Sequence, residues 1–164
     1  MTATRACLAA LLLCFAATTD AGLTTARIAI IIDDLGYQLK AGRRALSLPG
    51  EVSFAFLPGA PQARRLAKLA FSDGKEVLLH MPLQAAADAH ASEVANEPIE
   101  IRLDMTRNQV RGALQSALQS VPYAAGINSH RGSLLTQHPG HMQWLMEAIR
   151  ERDGLYFVDS YTTH

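Results

Sequence analysis

Cysteine is nearly absent from this sequence: Cys7 and Cys14 are the only two, and both lie within the first twenty-one residues. Without that stretch the chain has no disulfide, no thiolate metal site and no cysteine nucleophile. An excess of charge is also lacking. Fifteen basic and fifteen acidic side chains give a formal net charge of +0, which removes the electrostatic reason to expect nucleic acid or an acidic membrane surface as a partner. No long-period repeat is visible, and no apolar run is long enough for a confident membrane span. What is present is 164 residues, 49% of them hydrophobic, which suits one globular domain with a core of its own.

The first residues stand apart from that domain. Arg5 is a short positive region, Ala6 to Ala17 is apolar, and Thr18-Thr19-Asp20-Ala21 offers a small-residue cleavage site. Together they read as a secretory signal peptide over residues 1–21, with the mature domain at 22–164 exported across the inner membrane to the periplasm. Leu13 is bulkier than the residue a lipoprotein cleavage site accepts before its cysteine, so Cys14 is not read as lipidated.

Beyond this point strands and helices alternate. After Arg27, Ile28 to Ile32 is apolar and rich in β-branched residues and ends in Asp33-Asp34-Leu35-Gly36, the pattern of a strand buried on both faces that opens into a polar site. Helices are expected over Tyr37–Leu48, from Pro61 to about Ser72, from Thr106 to Val121, and over His141–Arg152. Thr106 and Gln109 form a capping-box pair at the start of the third. Strands are expected over Glu51–Leu57, Glu76–Leu79, Tyr123–Ile127 and Leu155–Val158, with a surface loop from Gln84 to Asn96. Right-handed crossovers make this a parallel α/β sheet, open or curved into part of a barrel.

In such sheets ligands sit beyond the carboxyl ends of the strands. Three of those ends carry candidate groups, Asp33 with Asp34, His80 and His130, and Asp159 is a fourth. A carboxylate with two imidazoles suits a divalent ion of the zinc class. A second carboxylate can then stay free to take a proton from a water the metal activates. Because side chains alternate along a strand, both acids reach one site only if the strand has broken, which Leu35-Gly36 makes possible. Asn128, Ser129 and Ser133 stand where they could orient a substrate. Each element has a plain alternative: Asp-Asp as a helix cap with a solvated neighbour, His80 and His130 as loop hydrogen-bonders. His90, His138, His141 and His164 read as surface histidines, and Met142, Trp144, Leu145 and Met146 as core.

Ile31-Ile32-Asp33-Asp34-Leu35-Gly36, His80-Met81-Pro82-Leu83, Gly126 to Ser133 and Phe157-Val158-Asp159-Ser160, in this order, resemble the divergent polysaccharide deacetylases, relatives of the NodB-type carbohydrate esterases. The resemblance covers nearly the whole mature chain. It implies a distorted (β/α) barrel of the glycoside hydrolase/deacetylase type and hydrolysis of N-acetyl groups on a polysaccharide. It also implies a divalent metal, zinc by its donor set, held by Asp34, His80 and His130, with Asp33 as general base. Two departures stand out. Ser129 and Arg131 replace the family's usual Asn and Met beside the histidine, and Tyr161 stands where a basic residue is common. Residues 22–164 are also fewer than the about 200 that a closed barrel needs, so the chain reads as a barrel cut short after its fifth strand.

Two other classes remain open at this point. One is a periplasmic glycan- or protein-binding domain that keeps the fold without the activity. The other is a phosphotransfer fold with Mg²⁺ on the acid pair, disfavoured by the export segment and the two histidines. The sequence fixes no oligomeric state.

Overall fold

The computed structural model describes residues 26–86 and 99–161. The expected signal peptide, residues 87–96 of the expected loop with His90, and His164 lie outside the described residues. Among the described residues five strands alternate with four helices: β1 (Ile30–Leu35), α1 (Leu39–Leu46), β2 (Val52–Phe56), α2 (Ala63–Ser72), β3 (Glu76–Leu83), α3 (Arg107–Ser120), β4 (Gly126–Arg131), α4 (Pro139–Arg150) and β5 (Tyr156–Val158). A 3₁₀ turn, Leu135–Gln137, precedes α4.

Every strand pairs in parallel with its neighbour in sequence, in the order β1-β2-β3-β4-β5. This order is not that of a doubly wound sheet and agrees with a segment of a barrel wall. A doubly wound sheet reverses direction at a switch point, whereas an unbroken order with right-handed crossovers puts every helix on one face, as in the wall of a (β/α) barrel. The packing agrees. One cluster joins Phe54, Phe56, Val77, Leu79, Met81, Leu83 and Ile127 from one sheet face with Leu46 of α1, Leu66 of α2, Leu114 of α3 and Leu145 of α4. Most of these side chains are fully buried, and truncating one to alanine costs about 2–5 kcal/mol.

Local sequence explains the helix boundaries. Thr106 donates its backbone N–H to Gln109 Oε1 at 2.8 Å, the reciprocal half of the capping box at the start of α3. Pro139 occupies the first turn of α4, where a missing N–H costs nothing, and His138 is its cap. The helix therefore starts earlier than expected, and His141 turns inward. It is 5% exposed and meets the Met105 carbonyl through Nε2 at 3.1 Å, so it is a core histidine rather than a surface one. Leu145 is buried, and Met142, Trp144 and Met146 pack against the core, as their spacing suggested.

Two strand readings need correction. β1 is not buried on both faces: Ile30 is half exposed and Ile31 and Ile32 are intermediate, because β1 pairs only with β2 and is a sheet edge among the described residues. β3 and β4 also run on past Leu79 and Ile127, so His80, Asn128, Ser129 and His130 lie within strands. Pairing carries them, from Leu78 opposite Gly126 to Leu83 opposite Arg131. Pro82 is tolerated in β3 because its carbonyl accepts from Ile101 N–H at 2.9 Å. Its N, on the same side, faces away from β4, where β2 has already ended.

Candidate metal centre

The site is built at the carboxyl edge of the sheet, and its first requirement is that adjacent acids point the same way. Across Ile32 to Leu35 on β1, β2 advances only from Phe54 to Phe56, so β1 holds one extra residue. This β-bulge re-aims a side chain. Asp34 takes φ +59° within it, a left-handed conformation that aspartate tolerates better than most residues. The break that brings both acids to one site is thus inside β1, ahead of Leu35-Gly36.

On β3 and β4 the alternation of side chains puts His80, Asn128 and His130 on the same sheet face, with His80 directly opposite Asn128. Three atoms converge: Asp34 Oδ1 lies 3.2 Å from His80 Nε2 and 3.1 Å from His130 Nδ1, and the two ring nitrogens are 3.0 Å apart. With metal–ligand bonds of about 2.0–2.2 Å, the edges between ligands of a tetrahedral or octahedral centre come to about 2.8–3.6 Å. The triangle fits one divalent ion, and it is the group among the described residues whose donor atoms gather closely enough to hold one. His80 is buried, His130 part-buried and Asp34 exposed, so the centre is anchored on one side and open on the other.

Behind the triangle lies a chain of directed hydrogen bonds. Asn128 Nδ2 donates to Asp33 Oδ1 at 2.8 Å, and Asn128 Oδ1 lies 3.0 Å from His80 Nδ1. His80 Nδ1 is itself 4.0 Å from Asp33 Oδ1. Asp33 therefore stands beside the ligand set without joining it.

The other residues expected to orient a substrate are held in contacts within the protein. Asn128 and Ser129 are only 2% and 1% exposed. Ser129 Oγ accepts from Ser160 N–H at 2.9 Å and lies 3.5 Å from Asp159 Oδ1, and Ser160 Oγ donates to the Ser129 carbonyl at 2.7 Å. These contacts tie the end of β5 to β4. Asp159 is exposed and accepts from Tyr161 N–H; it is not in the ligand triangle. Ser133 Oγ accepts from Ala86 N–H at 2.9 Å. Sequence reasoning missed the double engagement of Asn128. The available signal was its place two residues before His130 in one strand, which puts both on one face.

An open pocket of about 250 Å³ adjoins the site, walled by Asp34, Tyr37, Gln38 and Ala41 among others. A larger one, about 600 Å³, lies at the opposite ends of β1 to β3 beside Ile28, Ser53 and Glu76, away from these donors. There Tyr156 lies across Gly126, where a Cβ would sit 2.5 Å from its ring. Burial and a hydrogen-bonded Glu76 carboxylate push the Tyr156 phenol up to about 12.

A parallel (β/α) sheet that gathers an Asp-His-His triangle, with a second aspartate beside it, at its carboxyl edge defines a class of α/β proteins with a candidate metal-binding group. The sequence comparison gives the particular family. The family model for divergent polysaccharide deacetylases matches residues 30–164, and the chain belongs to that family. It is 38% identical over 139 residues to the uncharacterized protein YibQ of Escherichia coli K12, covering 83% of this chain and 41% of that one. It is also 38% identical over 144 residues to an uncharacterized protein of Haemophilus influenzae, covering 88% and 49%. The chain thus spans less than half the length of these two relatives. Its fold is similar to the crystal structure of the uncharacterized protein ATU2773 from Agrobacterium tumefaciens C58, with a TM-score of 0.75 at 22% identity over 85% of this chain and 57% of that one.

Proposed function

We propose that this chain carries the site of a metal-dependent hydrolase that removes N-acetyl groups from a cell-envelope or extracellular polysaccharide. The observation that carries the reading is the triangle of Asp34, His80 and His130 with Asp33 held just outside it. Asp34, His80 and His130 would hold the ion, zinc by preference for two imidazoles and a carboxylate. When bound, such an ion supplies Lewis acidity toward an acetamide carbonyl and lowers the pKa of a water.

The protein's own groups do the rest. Asp33 has a side chain 39% exposed and one carboxylate oxygen tied to Asn128, which leaves the other to accept a proton as water attacks the carbonyl. The open side of the centre gives a polymer access without threading through a closed cavity. Residues 1–21 would direct export to the periplasm, the compartment in which such a polysaccharide is met.

The test is acetate release from a β-1,4-linked N-acetylglucosamine oligomer by the Zn²⁺-loaded protein and by Asp33→Asn. Acetate from the parent and loss of release in the variant, with metal retained, support the proposal. A parent that holds one Zn²⁺ and binds the oligomer without releasing acetate would make the chain a glycan-binding domain instead.

A further inference from the structure

We propose that Asn128 is a positioning residue that sets the tautomer of His80 for metal binding and at the same time fixes the direction of Asp33. The inference rests on the reading of the centre given above and concerns a residue that touches neither metal nor substrate. Asn128 is 2% exposed, so neither end of its amide can turn to solvent, and each must find a partner within the protein.

The polarity of the chain then follows from its first member. A carboxylate oxygen only accepts, so the contact at 2.8 Å between Asp33 Oδ1 and Asn128 requires the amide NH₂ to face Asp33. That orientation turns the Asn128 carbonyl oxygen toward His80 Nδ1, 3.0 Å away. An amide oxygen also only accepts, so His80 must carry its proton on Nδ1. In the neutral ring, the form that binds a metal, the lone pair is then on Nε2, the atom that faces Asp34 Oδ1 at 3.2 Å and His130 Nδ1 at 3.0 Å. The opposite tautomer would place two lone pairs against each other at 3.0 Å and present a proton to the centre. One buried amide therefore couples the residue beside the metal to a ligand of the metal, each holding the other in place. Outer partners that fix a ligand histidine in this way typically govern metal affinity by 10–100-fold.

Two substitutions separate the two ends of the amide. Asn128→Asp keeps an acceptor for His80 Nδ1–H but removes the donor to Asp33. Asn128→Leu, of similar size, removes both. In the metal-free protein, ¹⁵N chemical shifts of the His80 ring report its tautomer, and calorimetric titration with Zn²⁺ reports affinity. The Asp variant should keep the proton on Nδ1 and a Zn²⁺ affinity within a few-fold of the parent. The Leu variant should show a mixed tautomer and an affinity about 10–100-fold weaker. Acetate release should fall in both, since both free Asp33 from its donor. A Leu variant with the parent's tautomer and affinity would overturn the proposal, as would an Asp variant in which the proton leaves Nδ1. Should the Leu variant fail to fold, the Asp variant's tautomer decides alone. Both readouts need no substrate, so absent acetate release in the parent would overturn the hydrolase reading without touching this one.

Discussion

Gly36 sits two residues beyond Asp34 and carries the chain from the bulge of β1 toward α1, and replacing it with alanine should damage both the fold and the centre. Its φ is +133°, a region that side-chain-bearing residues avoid, and holding alanine there costs about 1–3 kcal/mol. Space is the second obstacle. The new Cβ would lie 2.7 Å from Ala60 Cβ, 3.2 Å from Ala63 Cβ and 3.4 Å from Ala63 Cα. Alanines have no rotamer with which to yield, so the start of α2 must move, against a Gln62 N–H bond to the Gly36 carbonyl of 2.7 Å. Overpacking of this kind costs about 1–3 kcal/mol more. Taking 3 kcal/mol as a low-middle value and a urea slope of about 2 kcal/mol/M, the unfolding midpoint should fall by about 1.5 M. Gly112→Ala is the matched control: nothing lies within 4 Å of its Cβ position in α3, and alanine there should stabilise by about 0.5–1 kcal/mol. The folded fraction of Gly36→Ala should also bind Zn²⁺ more weakly, because Asp34 shifts with the bulge. A midpoint equal to the parent's, or a Gly112→Ala variant as damaged as Gly36→Ala, would refute the argument from geometry.

Three further outcomes follow from the same contacts. Asp33→Asn keeps an acceptor for Asn128, so Zn²⁺ should still bind while acetate release drops by about 10²–10⁴-fold, the usual loss when a proton acceptor is removed; metal loss in this variant would place Asp33 among the ligands instead. Tyr156 has its phenol raised from an ordinary value of 10.0 to about 12, so the unfolded chain releases this proton first. The stability it contributes is complete below about pH 10 and fades as pH rises toward 12; Tyr156→Phe should lack that alkaline decline in urea midpoints, and a parallel decline would count against it. Ser129→Ala should lower stability by about 0.5–1.5 kcal/mol by removing the hydroxyl that accepts from the Ser160 N–H and leave the KM for an N-acetylated oligomer unchanged. A raised KM at full stability would return Ser129 to the substrate.

The helices were legible in the sequence because their signals are local: apolar spacing, the Thr106–Gln109 box, and Pro-Gly stops. The polar strand ends were not. His80-Met81-Pro82 and Asn128-Ser129-His130 lack β-branched residues and look like loops, yet pairing between β3 and β4 holds them in register, a tertiary effect that outweighs propensity. Nor does an apolar run reveal that its strand lies at an edge, so β1 read as doubly buried. The bulge at Asp34 left no mark beyond the oddity of two adjacent acids. The three residues of the triangle could be named from motifs, whereas the place of Asn128 between Asp33 and His80 needed the cross-strand register.

The central claim is that Asp34, His80 and His130 form one metal centre, and metal stoichiometry tests it most directly. Purified parent protein and Asp34→Ala, each incubated with Zn²⁺, dialysed and assayed by elemental analysis, should differ by one tightly held ion per chain. Retention of one Zn²⁺ in Asp34→Ala at the parent's affinity would contradict the account.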